Sequence, residues 1–175
     1  MLTHNFYQYF SAFAERFYTE TSTITAELVD YNGVPFTKVY EYNTNMPRSL
    51  LGGMISPRCG TMGIEGAWFG KSSAPPRITD YTLNEPYTKG ELTAYANTLP
   101  TGTHTDEFYS VSTAYTITNN TSADLTIAEV GIFARHVSSG EHFCLLDRTV
   151  LETPIIIPPK KTVSMEYVIK FPYGT

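Results

Sequence analysis

Apolar and polar residues alternate along much of the last third of the chain. From Tyr109 to Ile117, and again from Thr162 to Phe171, every second residue is apolar or β-branched. A period of two is typical of a strand with one buried and one wet face, because successive side chains point to opposite sides. The pattern predicts a mainly β protein, an antiparallel β-sandwich of jelly-roll or immunoglobulin-like type with about eight strands.

A helical period marks the N-terminus, between Asn5 and about Tyr18. Phenylalanines recur there at spacings of three and four residues, at Phe6, Phe10, Phe13 and Phe17. Asn5 followed by Gln8 fits a capping box. We therefore expect one short amphipathic helix within residues 1–20, with its aromatic face docked on the sandwich or anchored in a neighbouring subunit.

The remainder, residues 21–175, is predicted to be one β-sandwich domain. Asn32-Gly33 between two extended segments predicts a β-hairpin with positive φ at both turn positions. Residues 43–106 are rich in proline, glycine and threonine, and this composition predicts a loop-rich insertion with short strands. Such long loops are typical of segments that contact a partner.

Three local features refine the C-terminal strands. Ala128-Glu129-Val130 breaks the alternation and predicts a β-bulge. Gly131 has no side chain, so we expect another strand or loop to approach closely there. Lys160-Lys161 lies between two strand patterns and predicts a solvated turn.

Composition excludes several classes of protein. The net charge is −5 and no basic stripe is present, which argues against a nucleic-acid partner. No stretch has the run of apolar residues that a membrane helix needs, and the N-terminus lacks the features of a secretory signal. Cys59 and Cys144 are best interpreted as free thiols of a protein made in a reducing compartment. Few charges and many aromatics suit a surface partly covered by neighbours.

Candidate sites for chemistry are few. The segment Gly66–Ser72 resembles a phosphate-binding loop but lacks its first glycine, since Glu65 occupies that position. His136, His142 and Cys144 are close in sequence but lack a fourth ligand for zinc, so surface histidines and a core thiol are the favoured interpretation.

Hydrolytic chemistry has equally little support. Glu129 and Asp147 can be nominated as a carboxylate pair, but a local charge pair between Asp147 and Arg148 is the favoured interpretation. A small hydrolase with a site assembled in space stays a minor hypothesis, because no nucleophile motif is present. We expect no catalytic, cofactor-binding or metal-binding residues and no enzymatic activity.

Several segments resemble a β-sandwich module found in structural proteins of tailed bacteriophages. They are Gly70–Pro86 (GKSSAPPRITDYTLNEP), Tyr115–Asn119 (YTITN), Ile127–Phe133 (IAEVGIF), Leu145–Pro158 (LLDRTVLETPIIIP) and Met165–Phe171 (MEYVIKF). The resemblance extends from Gly66 to Phe171, about three-fifths of the chain. It departs at Trp68–Lys71 and at Lys160-Lys161, where the phage proteins have glycine-containing stretches.

The resemblance implies a non-enzymatic virion component that is made in the host bacterial cytoplasm and resides in the virion. Such modules occur in head-decoration, neck and tail proteins. The implied partners are capsid, portal, neck or tail subunits and further copies of the chain, with no nucleic acid and no membrane. An alternative is a receptor- or carbohydrate-binding module at the tail tip or baseplate, where exposed tyrosines would stack on sugar rings.

Aromatic residues are the candidates for subunit contacts, because aromatics dominate the energetics of interfaces. The contact set predicted from the sequence is Phe6, Phe10, Phe13, Trp68 and Phe69. The opposing interpretation is that all five belong to an ordinary core.

Overall fold

Antiparallel strands dominate the described part of the chain, as the alternation predicts. The computed structural model describes residues 1–8, 10–11, 23–41, 58–60, 66–88, 90–97, 101–137 and 140–172. Its strands are β1 (Thr23–Val29), β2 (Pro35–Glu41), β3 (Arg58–Gly60), β4 (Gly66–Gly70), β5 (Leu92–Ala96), β6 (Thr101–His104), β7 (Phe108–Asn119), β8 (Leu125–Val137), β9 (Glu141–Ile157) and β10 (Thr162–Pro172). One short helix comprises residues 4–8, and residues 10 and 11 are also helical.

Eight of these strands form one sheet in the order β10-β7-β5-β3-β4-β8-β9, with β6 paired to β7 beside β5. All pairs in it are antiparallel except β3 with β4. The sheet curls into a sandwich-like arrangement, since side chains of β7 and β10 pack against those of β8 and β9 in one core. Fully buried members such as Ile117 and Ile127 each contribute about 2 kcal/mol of hydrophobic stabilisation.

A second apolar layer covers the opposite face of β4 and β8. It consists of Trp68, Leu83, Phe133, Phe143 and Leu145. β8 is therefore buried on both faces, which explains why its sequence departs from strict alternation. The predicted bulge is confirmed, because the register of β8 with β9 shifts between Ile127 and Glu129. The expected close approach at Gly131 is also confirmed, since a Cβ there would lie 2.8 Å from both Leu83 and Leu145.

The predicted hairpin is confirmed as β1-β2, which form a separate two-stranded sheet. The turn differs from the prediction, because only Gly33 has positive φ, at 79°. Gly33 N donates to Asp30 O, and the Asp30 carboxylate accepts from the amides of Asn32 and Val34. The loop is thus a type I turn closed by a left-handed glycine, which needs one positive φ rather than two.

The helix begins at residue 4, and its aromatic face docks on the sandwich through Phe6, which is 6% exposed. The predicted cap at Asn5 is wrong. The Asn5 side chain instead donates to Val29 O at 2.7 Å and accepts from Val29 N at 2.8 Å, joining the helix to the hairpin. The predicted continuation to Tyr18 lies outside the described residues.

The segment predicted as a loop-rich insertion supplies four strands, β3 to β6, to the main sheet. β4 pairs with β8 along its whole length. Within the described residues, the strands in this region are short, as predicted, but they build the sheet rather than lie outside it. The long connection between β4 and β5 covers the second apolar layer through Leu83.

Asn119, at the end of β7, joins two turns from a fully buried position. Its amide donates to Ala123 O at 2.7 Å and Ile157 O at 2.8 Å, and its oxygen accepts from Thr121 N at 2.8 Å. We expect Asn119→Ala to lower the free energy of unfolding by about 3 kcal/mol, because the buried Ile157 carbonyl loses its donor and the turn loses the bonds to Ala123 O and Thr121 N. Urea denaturation measures this value. The matched control is Asn120→Ala, which removes one exposed hydrogen bond to Thr93 and should lower the free energy of unfolding by well under half as much. Equal losses in the two variants would contradict the role given to Asn119.

Candidate functional site

A buried cluster of charges lies where the loop after β4 meets β8 and β9. Arg148 is 0% exposed, and its Nε and Nη2 lie 2.9 and 2.8 Å from Glu129 Oε2. Its Nη1 donates to Asp80 Oδ2 at 2.9 Å, and Nη2 donates to Ala74 O at 3.1 Å. The planar guanidinium thus ties two carboxylates and a loop carbonyl to one side chain.

Glu129 is the second centre of this cluster and is also fully buried. Its Oε1 accepts from Glu85 N at 2.8 Å, and its Oε2 accepts from Asn84 N at 3.2 Å. Gly70 makes room for it, because a Cβ there would lie 2.5 Å from Glu129 Oε1. With both carboxylate oxygens engaged and no surface exposed to solvent, Glu129 holds the loop to the sheet.

The neighbouring Asp147 belongs to a different cluster. Since Asp147 and Arg148 are adjacent on β9, their side chains point to opposite faces, and the predicted charge pair between them is wrong. Asp147 accepts a hydrogen bond from the buried Tyr167 hydroxyl and lies 3.0 Å from the Met1 amino nitrogen. Burial first, and then the Asp147 charge, raise the pKa of Tyr167 well above its ordinary value. Glu129 and Asp147 therefore do not form the nominated carboxylate pair.

The histidines near the β8-β9 turn dock the hairpin. His142 Nδ1 lies 3.3 Å from Asp30 Oδ2, and Phe36 stacks on the His142 ring at 4.1 Å. His136 pairs with His142 across the two strands. Burial, followed by the charges of Lys38 and His142, lowers the pKa of His136 to about 4.

These side chains are not arranged for metal or thiolate chemistry. Among the described residues, no group of three His, Cys, Asp or Glu side chains could hold a metal ion. Burial raises the pKa of the Cys144 thiol, so it stays protonated at neutral pH.

No helix in the described part of the chain is long and apolar enough to cross a membrane.

The predicted aromatic contact set divides into core and surface. Trp68 and Phe69 are both 0% exposed, so placing them on a contact surface is wrong for this fold. The cause is that β4 has a layer on each face, with Trp68 stacked on Phe133 at 3.6 Å. Phe6 is buried, Phe10 is 51% exposed, and Phe13 lies outside the described residues.

An aromatic row nevertheless reaches the surface at the helix. Phe10 stacks on Phe6 at 6.0 Å between ring centroids, Phe6 lies 6.2 Å from Phe171, and Phe171 lies 6.3 Å from Tyr109. Tyr7 packs on the edge of Phe6 and is 51% exposed. The sequence did not indicate that Tyr7, Tyr109 and Phe171 belong to this row, because the row crosses from the helix to β10 and β7 and follows no single period.

The chain was compared with protein-family models, curated proteins and solved structures. None of them matches it. A function therefore has to be inferred from the chain's own residues.

We predict that Arg148→Met lowers the free energy of unfolding by about 4 kcal/mol, because it leaves the Glu129 carboxylate buried without its cation. Chemical denaturation measures the loss. The double variant Arg148→Met with Glu129→Gln removes the unpaired charge but keeps an oxygen for the amides of Asn84 and Glu85. It should be more stable than Arg148→Met alone. A double variant that is less stable than the single one would contradict this account.

Stability should fall as the pH drops from about 6.5 towards 4. Unfolded His136 binds a proton near its ordinary pKa of 6.5, whereas folded His136 does so only at about 4. The unfolded state thus holds more protons in this window, and the loss reaches about 3 kcal/mol at its lower end. Denaturation at a series of pH values measures the slope. His136→Gln should flatten the slope of stability against pH in this window, and an unaltered slope in that variant would refute the assignment.

Proposed function

We propose that the chain is a non-enzymatic structural component of a tailed-phage virion, which assembles as a repeated subunit on the head or at the neck or tail. The observation that carries the proposal is the convergence of the phage-like segments on the Arg148 cluster. Asp80 comes from GKSSAPPRITDYTLNEP, Glu129 from IAEVGIF and Arg148 from LLDRTVLETPIIIP. Three segments distant in sequence therefore meet through their charged residues.

This convergence argues against a chance resemblance of the separate segments. Short strand sequences resemble one another by chance, since β-branched and aromatic residues are favoured in any strand. A fully buried pair of charges, such as Glu129 with Arg148, is a stricter requirement, because each charge must be paired when it is buried. Their meeting in one cluster supports the interpretation that the segments form one module rather than separate chance likenesses.

The use of the buried polar groups supports a structural role. Glu129, Arg148 and Asp80 hold a loop to the sheet, and Asp147 with Tyr167 joins β9 to β10. Groups engaged in this way stabilise a shape and have little freedom to bind and transform a substrate. The surface presents aromatic side chains instead, at Tyr7 and Phe10, and such residues favour contacts with other protein subunits.

The proposal predicts that the chain is present in purified particles at a fixed ratio to the major capsid protein. Quantitative mass spectrometry of particles from the producing culture measures this ratio. On the order of hundreds of copies would indicate head decoration, and about six to twelve would indicate the neck or tail, because those parts have low-order rotational symmetry. A host cytoplasmic protein serves as the control for carry-over. Absence from washed particles would overturn the proposal together with the tail-tip receptor-binding alternative, and would favour the hydrolase alternative.

A further inference from the structure

The outer edge of β10 is an open strand edge. β10 pairs with β7 along its whole length, from Thr162 to Pro172. On its other side, no strand among the described residues pairs with it. A groove of about 270 Å³ lies there, and β10 faces across it the N-terminal residues Met1, Leu2 and Tyr7 and the β9 residues Asp147 and Thr149. An edge of this length is a template for pairing with another chain.

The direction of the free hydrogen-bonding groups follows from the ladder with β7. Asn119 N donates to Lys161 O at 3.0 Å, so the carbonyl of Lys161 points towards β7. Because the N–H and C=O of one strand residue point to the same side and alternate along the strand, the odd-numbered residues of β10 face β7. The even-numbered residues Glu166, Val168 and Lys170 therefore present their backbone groups to the open edge.

The same three residues project their side chains outwards. Glu166 and Lys170 are exposed, and Val168 is 44% exposed. Within the described residues, neither Glu166 nor Lys170 has an ion-pair partner. Lys170 Nζ lies instead 4.7 Å from the centroid of the Phe108 ring. The open edge thus carries one negative and one positive side chain with an exposed valine between them.

We propose that this edge pairs with the β10 edge of a second copy, antiparallel and about a two-fold axis at Val168. In this register Val168 faces Val168, and Glu166 of each copy faces Lys170 of the other. Each of the three facing pairs exchanges two backbone hydrogen bonds. Opposite charges that face each other across strands are stabilising, and two such pairs form in one interface.

The charges of Glu166 and Lys170 favour this register over the registers with a two-fold axis at a neighbouring residue. A two-fold axis at Glu166 would place the two glutamates opposite each other, and an axis at Lys170 would place the two lysines opposite each other. Like charges in facing positions are destabilising. Axes at Tyr167 or Ile169 leave both charges opposite uncharged residues. The edge is therefore self-complementary in one register, as a closed two-fold dimer requires.

This inference rests on the proposed function and deepens it, because it names the surface through which copies of the subunit meet. It commits to a second copy as the occupant, since the charge pattern of β10 is complementary to itself.

Sedimentation equilibrium over a range of concentrations tests the pairing. The wild type should form dimers, and Glu166→Lys or Lys170→Glu alone should raise the dimer Kd at least about tenfold, because two attractive pairs become repulsive. The double exchange of both residues should restore the Kd to within a few-fold of the wild type. Glu152→Lys, which changes an exposed carboxylate on β9, is the matched control and should leave the Kd unchanged.

Amide hydrogen exchange provides a second readout that needs no variant. In the dimer the amides of Glu166, Val168 and Lys170 should be protected, and dilution to the monomer should expose these three while Tyr167 and Ile169 stay protected by β7. The inference would be overturned if the chain were a monomer at all concentrations. It would also be overturned if the dimer Kd were the same in the wild type and in the single charge variants. In the second case self-assembly persists through another surface, and the proposed function is unaffected, whereas absence from particles would remove the proposed function alone.

Discussion

A buried arginine must be paired on every side, and the position of Arg148 imposes this requirement on three distant parts of the chain. Its guanidinium meets Glu129 from β8, Asp80 from the loop after β4, and a carbonyl of the same loop. An unpaired charge in this position would cost several kcal/mol. Moving the loop away from the sheet would remove partners of Arg148, so this cost holds the loop in place. The loop in turn supplies Leu83 to the second apolar layer. Charge pairing and hydrophobic burial thus depend on each other.

The two faces of β8 show how this coupling shapes the sandwich. One face joins the main core through Ile127, Val130 and Ile132, and the other packs Phe133 against Trp68. A register shift at the bulge allows the strand to serve both layers. The Arg148 cluster therefore lies where the second apolar layer joins the main sheet.

The sequence was informative where a single period governed the structure. Alternation identified β7 and β10, the Asn32-Gly33 pair located the hairpin, and the break at Ala128–Val130 located the bulge. β4 was misjudged because a strand covered on both faces has no alternation, although its short apolar run bounded by glycines is typical of such a strand. The partners of Arg148 and Asp147 could not be predicted, since they depend on which strands become neighbours and not on local spacing. The aromatic row was partly missed for the same reason.

The pairing of strands far apart in sequence has a consequence for the order in which the chain can fold. β4 pairs with β8, and β7 pairs with β10, while Thr3 donates to Leu146 across nearly the whole chain. During synthesis from the N-terminus, these early segments emerge before the strands that complete them. Closing such long loops costs chain entropy before any contact is gained. The hairpins β6-β7 and β8-β9, which need only short closures, are therefore the parts of the main sheet on which the other strands assemble.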